Sequence, residues 1–346
     1  MILGIESSCD ESALALYDGD KGVLGEWIHS QVVSHADYGG VVPDIAVSEH
    51  LDNFIPLLTL AQKEFQLSED VSKIAVTCGP GLVGCLGIGI SVAKSLGILW
   101  DIPVVGVNHL RGHAFSPFLP LLAKRKDCFA ENLPHLGLLV SGGNTILFSL
   151  SECMELSIVA STVDDAAGEA LDKGAKLLGI PYPGGAELER RAKGGDPKAF
   201  NFPQAFSGRN EMKFSFSGLK TSLLYTLKKM SESEVNDQYA NLSASYQSAA
   251  VKQLVRKTSH AWDRAHYRSI GLSGGVANNK LLREEMKYLA DAKGVCLLSA
   301  EPKHSGDNAA MIAFAAEIDT ENTWSNQNHS LSFNPSLKLD HLPVNI

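Results

Sequence analysis

Two histidines are spaced so that they could hold a metal ion. His109 and His113 lie four positions apart, so in a helix both imidazoles project from one face, one turn apart. An isolated pair of this kind is more often packed or capped than ligated, so a metal site needs a third donor. Asp307 is the best-placed candidate, although a carboxylate just before an apolar helical run can instead cap that helix. Two histidines and one carboxylate suit Fe(II) or Zn(II), and the sequence does not choose between them.

Glycine-rich turns after apolar strands indicate phosphate binding. Backbone N–H groups can approach phosphate oxygens closely at such turns, and a following helix adds partial positive charge. Residues 79–81 (Gly-Pro-Gly) and 273–275 (Ser-Gly-Gly) have this character, but neither fits the P-loop or the G-x-G-x-x-G fingerprint. A tight strand-to-helix connection also needs glycine, so each turn alone leaves a structural role open. Asn278 and Asn279 could likewise cap a helix or hydrogen-bond an adenine or ribose.

A repeated plan of elements must position these residues. Residues 2–17 predict a hairpin of two apolar strands with a small polar tip at 6–12. The same plan recurs over 136–150, with the tip at 141–145 (Ser-Gly-Gly-Asn-Thr). Each hairpin is later followed by an apolar strand that runs into one of the glycine turns and then into a helical pattern. The sequence therefore predicts two related α/β halves facing one cleft.

Composition narrows the class of protein. The chain has 346 residues, of which 45% are apolar and 20% charged, which is typical of a globular protein with two cores. The six cysteines show no C-x-x-C spacing, which disfavours a disulfide framework and fits a reducing cytoplasm. The first eight residues lack the basic region of a signal peptide. The stretch 81–100 contains Lys94 and five glycines, so we expect a buried helix and no membrane span.

The net charge of −9 opposes binding of a polyanion, because affinity for nucleic acid comes largely from Lys and Arg. Any RNA-binding surface must therefore be local or shared with a partner. The candidate basic patches are 124–126, 190–193 and 213–229, although each could simply be a solvated face.

The domain boundary is predicted within residues 115–135, which contain three prolines and a charge cluster. The expected lobes are 1–125 and 126–304, with a helix from about 305 packing back on the first lobe. The segment 320–346 is rich in Asn, Ser and Pro, and we expect it to lie over the surface.

Six motifs that follow one another within residues 1–315 carry a resemblance to a known family. They are 5–12 (Ile-Glu-Ser-Ser-Cys-Asp-Glu-Ser), 35–43 (His-Ala-Asp-Tyr-Gly-Gly-Val-Val-Pro), 79–84 (Gly-Pro-Gly-Leu-Val-Gly), 164–170 (Asp-Asp-Ala-Ala-Gly-Glu-Ala), 183–185 (Pro-Gly-Gly) and 214–220 (Phe-Ser-Phe-Ser-Gly-Leu-Lys). With these motifs the chain resembles the TsaD family of tRNA adenosine threonylcarbamoyltransferases. The resemblance implies a duplicated actin-like, RNase H-like fold, as in acetate and sugar kinases, with two lobes around a nucleotide cleft.

The resemblance also implies a reaction and its participants. The threonylcarbamoyl group would pass from threonylcarbamoyl-adenylate to the exocyclic amine of adenosine 37 in tRNAs that read ANN codons, with release of AMP. One divalent metal ion, Fe²⁺ ahead of Zn²⁺, and an adenylate (ATP- or AMP-like) ligand would be bound. The implied partners are tRNA, a TsaB-like paralog and a TsaE-like ATPase, all in the cytoplasm.

Individual residues take roles from the same resemblance. His109, His113 and Asp307 correspond to the metal ligands, and Asp10 and Glu11 to catalytic acidic residues near the reaction centre. The adenylate-binding positions correspond to Leu139, Val140, Ser141, Gly142, Gly143, Asp172, Gly185, Glu189 and Asn279.

Two positions depart from the usual family pattern. Asn144 stands where bacterial members commonly have His, and Arg111 replaces an acidic residue that usually precedes the glycine of the histidine motif. Neither departure removes a ligand, but both could alter the metal preference or the way in which the donor is held.

Three other functions stay open from the sequence. A kinase or ATPase of the same fold would need a carboxylate-held magnesium ion and a site for a γ-phosphate. A non-catalytic scaffold paralog would usually have lost the metal ligands, which this chain retains. A metalloprotease is disfavoured because residues 109–113 (His-Leu-Arg-Gly-His) lack the Glu of H-E-x-x-H.

Overall fold

The computed structural model describes residues 1–122, 128–325 and 330–341. The basic residues 124–126, one of the candidate patches, lie outside this part of the chain. The strands are β1 (Ile2–Glu6), β2 (Glu11–Asp18), β3 (Gly22–Ser30), β4 (Lys73–Gly79), β5 (Val104–Asn108), β6 (His135–Val140), β7 (Thr145–Leu150), β8 (Leu156–Thr162), β9 (Lys213–Phe214), β10 (Ser269–Ser273), β11 (Cys296–Ser299) and β12 (Trp324–Ser325).

The helices connect these strands in chain order. They are α1 (Val32–Ala36), α2 (Pro43–Glu64), α3 (Leu67–Asp70), α4 (Val83–Trp100), α5 (His109–Phe115), α6 (Leu119–Leu122), α7 (Cys128–Glu131), α8 (Ala167–Leu177), α9 (Gly184–Ala192), α10 (Ser217–Leu227), α11 (Glu232–Asp237), α12 (Tyr239–Trp262), α13 (Lys280–Ala292) and α14 (Ala309–Ile318). Short 3₁₀ turns occupy Ser116–Phe118, Gly275–Asn278, Pro302–His304 and Thr320–Asn322.

The chain divides into two compact units. Unit 1 consists of Met1–Phe129 together with Ala300–Ile346, and unit 2 consists of Ala130–Ser299. Unit 1 therefore combines described residues from the N-terminal and C-terminal parts of the chain, and helix α14 packs there against β1 and β2.

Each unit is built on a six-stranded mixed sheet. The strand order is β12-β5-β4-β1-β2-β3 in unit 1 and β11-β10-β6-β7-β8-β9 in unit 2. Five strands of each sheet share one pattern, two parallel pairings followed by two antiparallel ones. The sixth strands differ, because β12 is antiparallel to β5 whereas β9 is parallel to β8. The predicted duplication is confirmed: two hairpins, each followed by a strand, a glycine turn and a helix.

The central strands are buried because their sequences are almost entirely apolar. All residues of β1 and of β6 are buried, as expected for strands in a sheet that is covered on both faces. Glycine lets α14 approach β1 closely. A Cβ atom on Gly4 would lie 2.2 Å from the carbonyl oxygen of Ala309. This contact fixes the start of α14, and the residues just before it, beside the end of β1.

In the described part of the chain, α4 is the one helix long and apolar enough to cross a membrane, judged by length and composition. It packs against β4 and α2 within unit 1. Cys85, Leu86, Ile90 and Ala93 form part of its buried face.

The segment from residue 320 differs from its prediction as a surface tail. Trp324 begins β12 and is 5% exposed, and Leu331, Leu337 and Leu339 are 2%, 4% and 0% exposed. These apolar side chains are spaced along an otherwise polar segment. The free energy gained by burying them holds the segment in unit 1, although its average composition is polar. The described part of this segment is therefore integral to unit 1.

Candidate metal centre and adenylate-binding residues

The two histidines lie on a short helix that begins where β5 ends. The side chain of Asn108 caps α5 by accepting a hydrogen bond from the backbone N–H of Leu110 at 2.9 Å. His109 and His113 are the first and fifth residues of this helix, so they share one face. Both are buried, and their ring centroids are 4.7 Å apart.

Asp307 meets this histidine pair from the other end of the chain. Helix α14 is capped by Asn308, whose side-chain oxygen accepts from the backbone N–H of Met311 at 2.9 Å. The carboxylate of Asp307 is therefore not needed for capping. Its Oδ1 lies 2.9 Å from Nε2 of His113 and 3.5 Å from Nε2 of His109.

This arrangement fits a divalent metal ion. One donor atom from each of the three side chains lies within 4.8 Å of the other two. Ligands bound about 2.1 Å from a shared ion lie about 3 to 3.5 Å from one another, and both distances from Asp307 Oδ1 fall near that range. Imidazole nitrogen and carboxylate oxygen are donors that suit Fe(II) and Zn(II).

A buried carboxylate that the sequence left without a role supports His109 from behind. Glu6, the last residue of β1, is 0% exposed. Its Oε2 accepts from His109 Nδ1 at 3.0 Å and from the Thr77 hydroxyl at 2.6 Å, and its Oε1 accepts from the Ser8 N–H at 2.6 Å. A proton held on Nδ1 leaves Nε2 of His109 with a free lone pair on the side of Asp307. A carboxylate at the end of an otherwise apolar strand was the available signal, because such a group must find partners when buried.

The charges of this cluster determine its protonation. Burial lowers the pKa of His109, but the carboxylates of Asp307 and Glu6 outweigh that effect and raise the pKa to about 9. Burial also raises the pKa of Asp307, and the two histidines outweigh it and hold this pKa below its ordinary value. The pKa of Glu6 is likewise lowered, since His109 outweighs burial. The buried carboxylate of Glu6 and the half-buried carboxylate of Asp307 are thus stabilised by a positive charge beside them, which a protonated imidazole or a metal ion supplies.

Asp10 and Glu11 lie at the tip of the first hairpin. The backbone oxygen of Asp10 accepts from the N–H of Gln31 at 2.9 Å, and the Glu11 carboxylate accepts from the Ser30 hydroxyl at 3.3 Å. Burial, and then the charges of Asp307 and Asp10, raise the pKa of Glu11 to about 10. Glu11 is therefore electrostatically coupled to the histidine–aspartate cluster of unit 1.

The departure at Arg111 has a structural partner. Its guanidinium group forms a buried ion pair with Asp319 through Nε and through Nη2, the latter at 2.9 Å from Oδ1. The same group lies 5.6 Å above the ring centroid of Phe115. Arg111 therefore joins α5 to the segment after α14, and its charge is balanced inside unit 1.

In unit 2, the predicted phosphate-binding residues form the tip of the β6–β7 hairpin. Leu139 and Val140 are fully buried strand residues that lead into the tip. Gly142 and Gly143 are exposed, and a Cβ atom on either would meet nothing within 4 Å. The backbone of the tip therefore has open space in front of it.

Two further glycines allow other elements to pack against this tip. A Cβ atom on Gly168 would lie 2.5 Å from the carbonyl oxygen of Ser141, and one on Gly274 would lie 2.3 Å from that of Val140. Gly274 also has φ +86°, which favours glycine. The tip is closed by a hydrogen bond from the backbone N–H of Ser141 to the backbone carbonyl oxygen of Asn144 at 2.8 Å. From the sequence, the turn at 274 was a candidate for phosphate binding, whereas Gly168 appeared only within the motif 164–170 and had no role of its own.

Asp172 and Gly185 lie together. The Asp172 Oδ1 accepts from the N–H groups of Gly184 and Gly185 at 2.9 and 2.7 Å, which ties α8 to the start of α9. Burial outweighs these bonds and raises the pKa of Asp172.

Glu189 and Asn279 are neighbours through the start of α13. The Glu189 carboxylate accepts from the N–H of Lys280 at 2.8 Å. Asn279 caps α13, its oxygen accepting from the N–H of Leu282 at 3.0 Å. The capping role left open for Asn279 is thus present in the structure.

Solved structures of similar fold establish the class of fold. Component A of (R)-2-hydroxyglutaryl-CoA dehydratase from Acidaminococcus fermentans is 14% identical, with a TM-score of 0.51, over 92% of this chain and 98% of that chain. HypF from T. kodakarensis is 15% identical, with a TM-score of 0.57, over 91% of this chain and 46% of that chain. This chain thus spans about half of HypF. The 2-hydroxyisocaproyl-CoA dehydratase activator from Clostridium difficile, solved with ADPNP, is 15% identical, with a TM-score of 0.50, over 92% of this chain and 96% of that chain.

The two similar mixed sheets and these likenesses define an α/β protein of the duplicated actin-like fold. A family model, "TsaD: tRNA N6-adenosine threonylcarbamoyltransferase", matches residues 22–314. Because this match covers most of the chain, the protein belongs to the TsaD family. The family resemblance carried by the six motifs is thereby confirmed, and the chain is assigned to threonylcarbamoyl modification of tRNA.

Proposed function

We propose that this chain catalyses the transfer step itself, from threonylcarbamoyl-adenylate to the exocyclic amine of adenosine 37 in tRNAs that read ANN codons. The observation that carries the proposal is the convergence of His109, His113 and Asp307 in a chain of this family. A scaffold paralog would have no reason to retain three buried or half-buried donors around one point. The same argument disfavours a simple ATPase, whose magnesium site would be built from carboxylates.

The metal ion would be Fe²⁺, with Zn²⁺ as the alternative, held by His109, His113 and Asp307. When bound, such an ion supplies a Lewis acid for oxygens of the donor. Glu6 keeps His109 in the tautomer that a ligand needs.

We assign the adenylate half of the donor to unit 2. The backbone N–H groups of residues 141–143 would hold its phosphate, which is supported by the open space at Gly142 and Gly143. Asp172 and Asn279 would contact the adenosine, with Gly185 and Glu189 shaping the same region. The related activator from Clostridium difficile was solved with ADPNP, a nucleotide of similar chemistry.

The transfer forms a bond between the amine nitrogen and the carbamoyl carbon and breaks the bond from that carbon to the phosphate oxygen. The amine loses a proton, and AMP leaves with the bonding electrons. An aromatic amine is a weak nucleophile, so positioning and proton removal must lower the barrier. Asp10 or Glu11 would accept this proton, and Asp10 is the better candidate because a Glu11 carboxyl whose pKa is raised to about 10 is already protonated near neutral pH.

The proposed reaction also implies protein partners and a cellular compartment. The net charge of −9 makes tight binding of tRNA by the chain alone unfavourable, so we propose that a TsaB-like paralog and a TsaE-like ATPase complete the assembly. The cysteines at 9, 78, 85, 153 and 296 are free thiols, which suits the reducing cytoplasm, where tRNA is modified.

The test is transfer from supplied threonylcarbamoyl-adenylate to tRNA by the complete assembly, measured as modified adenosine by mass spectrometry. His109→Ala should reduce the rate by at least about 100-fold, because a ligand of the Lewis acid is lost. His266→Ala is the matched control, since His266 is exposed in unit 2. Transfer at the normal rate by His109→Ala with the metal chelated would contradict the proposal, and steady release of ADP from ATP by the isolated chain would favour a kinase or ATPase.

A further inference from the structure

Helix α10 borders a surface groove that the proposed chemistry does not use. The groove has a volume of about 520 Å³ and lies wholly in unit 2. Its lining includes Ser217, Gly218, Thr221, Ser222, Tyr225 and Lys229. These side chains provide hydroxyl groups, one aromatic ring and one ammonium group, and no carboxylate lines the groove in the described part of the chain. Such a lining suits an anionic ligand rather than a cationic or purely apolar one.

The chain segment that contains α10 is basic. Residues 213–229 contain four lysines and no acidic residue, in a chain with 39 acidic and 30 basic side chains. All four, Lys213, Lys220, Lys228 and Lys229, are exposed. The lysine ion pairs of the described residues are formed instead by Lys173, Lys287, Lys293 and Lys303. These four lysines, of which Lys220 lies within α10 and the others flank it, can therefore contact an anion from outside the chain.

The N-terminus of α10 is already occupied, which restricts where an anion can bind. Asp164 accepts hydrogen bonds there from the N–H of Phe216 at 2.8 Å and from the Ser217 hydroxyl at 2.8 Å. Its carboxylate therefore takes the place that a phosphate would occupy at the helix start. An external polyanion must lie along the outer face of the helix, beside the lysines.

An aromatic ring lies beside Lys228 and lines the same groove as Lys229. Tyr225 is 59% exposed, and Nζ of Lys228 lies 6.0 Å from the centroid of its ring. Exposed aromatic rings beside lysines are the means by which proteins bind unpaired nucleotides, with the ring stacking on a base and the ammonium groups contacting phosphates. The face from 217 to 229 is about 18 Å long at 1.5 Å per residue, enough for about three nucleotides of a single strand.

We infer that the outer face of α10 is a docking surface for a single-stranded part of tRNA, with Lys220, Lys228 and Lys229 on phosphates and Tyr225 stacked on a base. This inference rests on the proposed function, which makes tRNA the substrate. It also explains how an acidic chain can contribute to RNA binding, since residues 213–229 carry four lysines with no acidic residue between them.

The first experiment compares two triple variants in the complete assembly. Lys220→Gln/Lys228→Gln/Lys229→Gln is the test, and Lys21→Gln/Lys63→Gln/Lys176→Gln, at exposed lysines elsewhere, is the charge-matched control. Binding of unmodified tRNA is measured by fluorescence anisotropy from 50 to 200 mM salt. The α10 variant should bind about tenfold or more weakly, with the slope of log K against log salt reduced by about 2 to 3. Equal weakening in the control would overturn the inference.

Kinetic measurements and substitutions at Tyr225 distinguish docking of tRNA from other roles of this surface. The α10 variant should raise KM for tRNA and leave kcat and the affinity for the adenylate donor unchanged. Tyr225→Ala should weaken binding to the anticodon stem-loop, Tyr225→Phe should not, and neither should change binding of duplex RNA. Loss of a protein partner with unchanged tRNA affinity would instead identify an acidic protein as the ligand and overturn the inference.

The outcomes distinguish this inference from the proposed function. Binding of unmodified tRNA requires no transfer, so a salt-sensitive loss in the α10 variant would support the docking surface even if the assembly transferred nothing. Normal transfer with an unchanged KM in that variant would overturn the docking surface alone.

Discussion

Both ring nitrogens of His109 face carboxylates, and these contacts determine the orientation of the ring. Nδ1 donates to Glu6, which is itself fixed by Thr77 and by the backbone of Ser8. Nε2 faces Asp307 at 3.5 Å. A carboxylate behind a ligating histidine fixes the tautomer and increases the basicity of the ligand. Glu6 is therefore a positioning residue for the candidate metal centre, although it is not itself a ligand of the proposed ion.

We expect Glu6→Gln to lower the affinity for Fe²⁺ or Zn²⁺ by about 10- to 100-fold, because the amide keeps the size of the side chain but loses the charge that orients His109. The measurement is competition with a chelator of known affinity on the purified, metal-loaded protein. Glu49→Gln is the matched control, since the Glu49 carboxylate also lies 3.0 Å from an imidazole nitrogen, Nε2 of the partly exposed His29. Metal affinities that differ by less than threefold between the two variants would remove Glu6 from the site.

At the scale of elements, one close contact determines where Asp307 lies. Helix α14 packs directly on β1 because Gly4 has no side chain, and Asp307 is two residues before the start of that helix. Helix α5 is fixed separately by the Asn108 cap and by the ion pair of Arg111 with Asp319. The three donors meet because both helices are anchored to the same sheet.

Gly4→Ala should therefore displace α14 and weaken metal binding together. The new methyl group would lie 2.2 Å from the Ala309 oxygen, and overpacking of this kind costs about 1 to 3 kcal/mol. Urea unfolding and chelator competition measure the two effects. In the control, Gly87→Ala, the added Cβ would lie 3.7 Å from Phe333, so the free energy of unfolding should be unchanged or raised by up to about 1 kcal/mol. Unchanged stability and metal affinity in Gly4→Ala would refute this account.

At the scale of the whole molecule, unit 1 exposes apolar side chains that a partner could cover. Leu51 and Ile55 are one turn apart on α2 and are 61% and 66% exposed. Exposed large apolar side chains on one helix face are typical of protein–protein contact sites. The TsaB-like paralog of the proposed assembly is the partner that we assign to this face.

Leu51→Lys/Ile55→Lys should weaken association with the TsaB-like paralog by at least tenfold, because two apolar side chains that the partner would cover are replaced by charges that lose their hydration in the complex. Analytical ultracentrifugation or calorimetry with the purified partner measures this change, and the melting temperature of the free chain should stay within a few degrees. Tyr288→Lys, at a side chain 75% exposed in unit 2, is the control. Association at the control's affinity would place the partner on another surface.

The sequence by itself determined the duplicated architecture, the helix with two histidines on one face, and the glycine turns. These features are local: apolar periodicity and glycine placement act over a few residues and can be recognised without knowing what they pack against. The six motifs determined the family for the same reason, since each is a short run of neighbouring residues.

Only the tertiary structure decided which distant groups meet. Asp307 is hydrogen-bonded to His113, which is 194 positions away, and Glu6 is hydrogen-bonded to His109, which is 103 positions away. The local sequence pattern carries no information on such pairings. The described part of the segment from 320 was expected on the surface because its average composition is polar, yet its few leucines and Trp324 are buried in unit 1. Burial of a side chain depends on the surface that it finds, and that surface exists only once the sheet has formed.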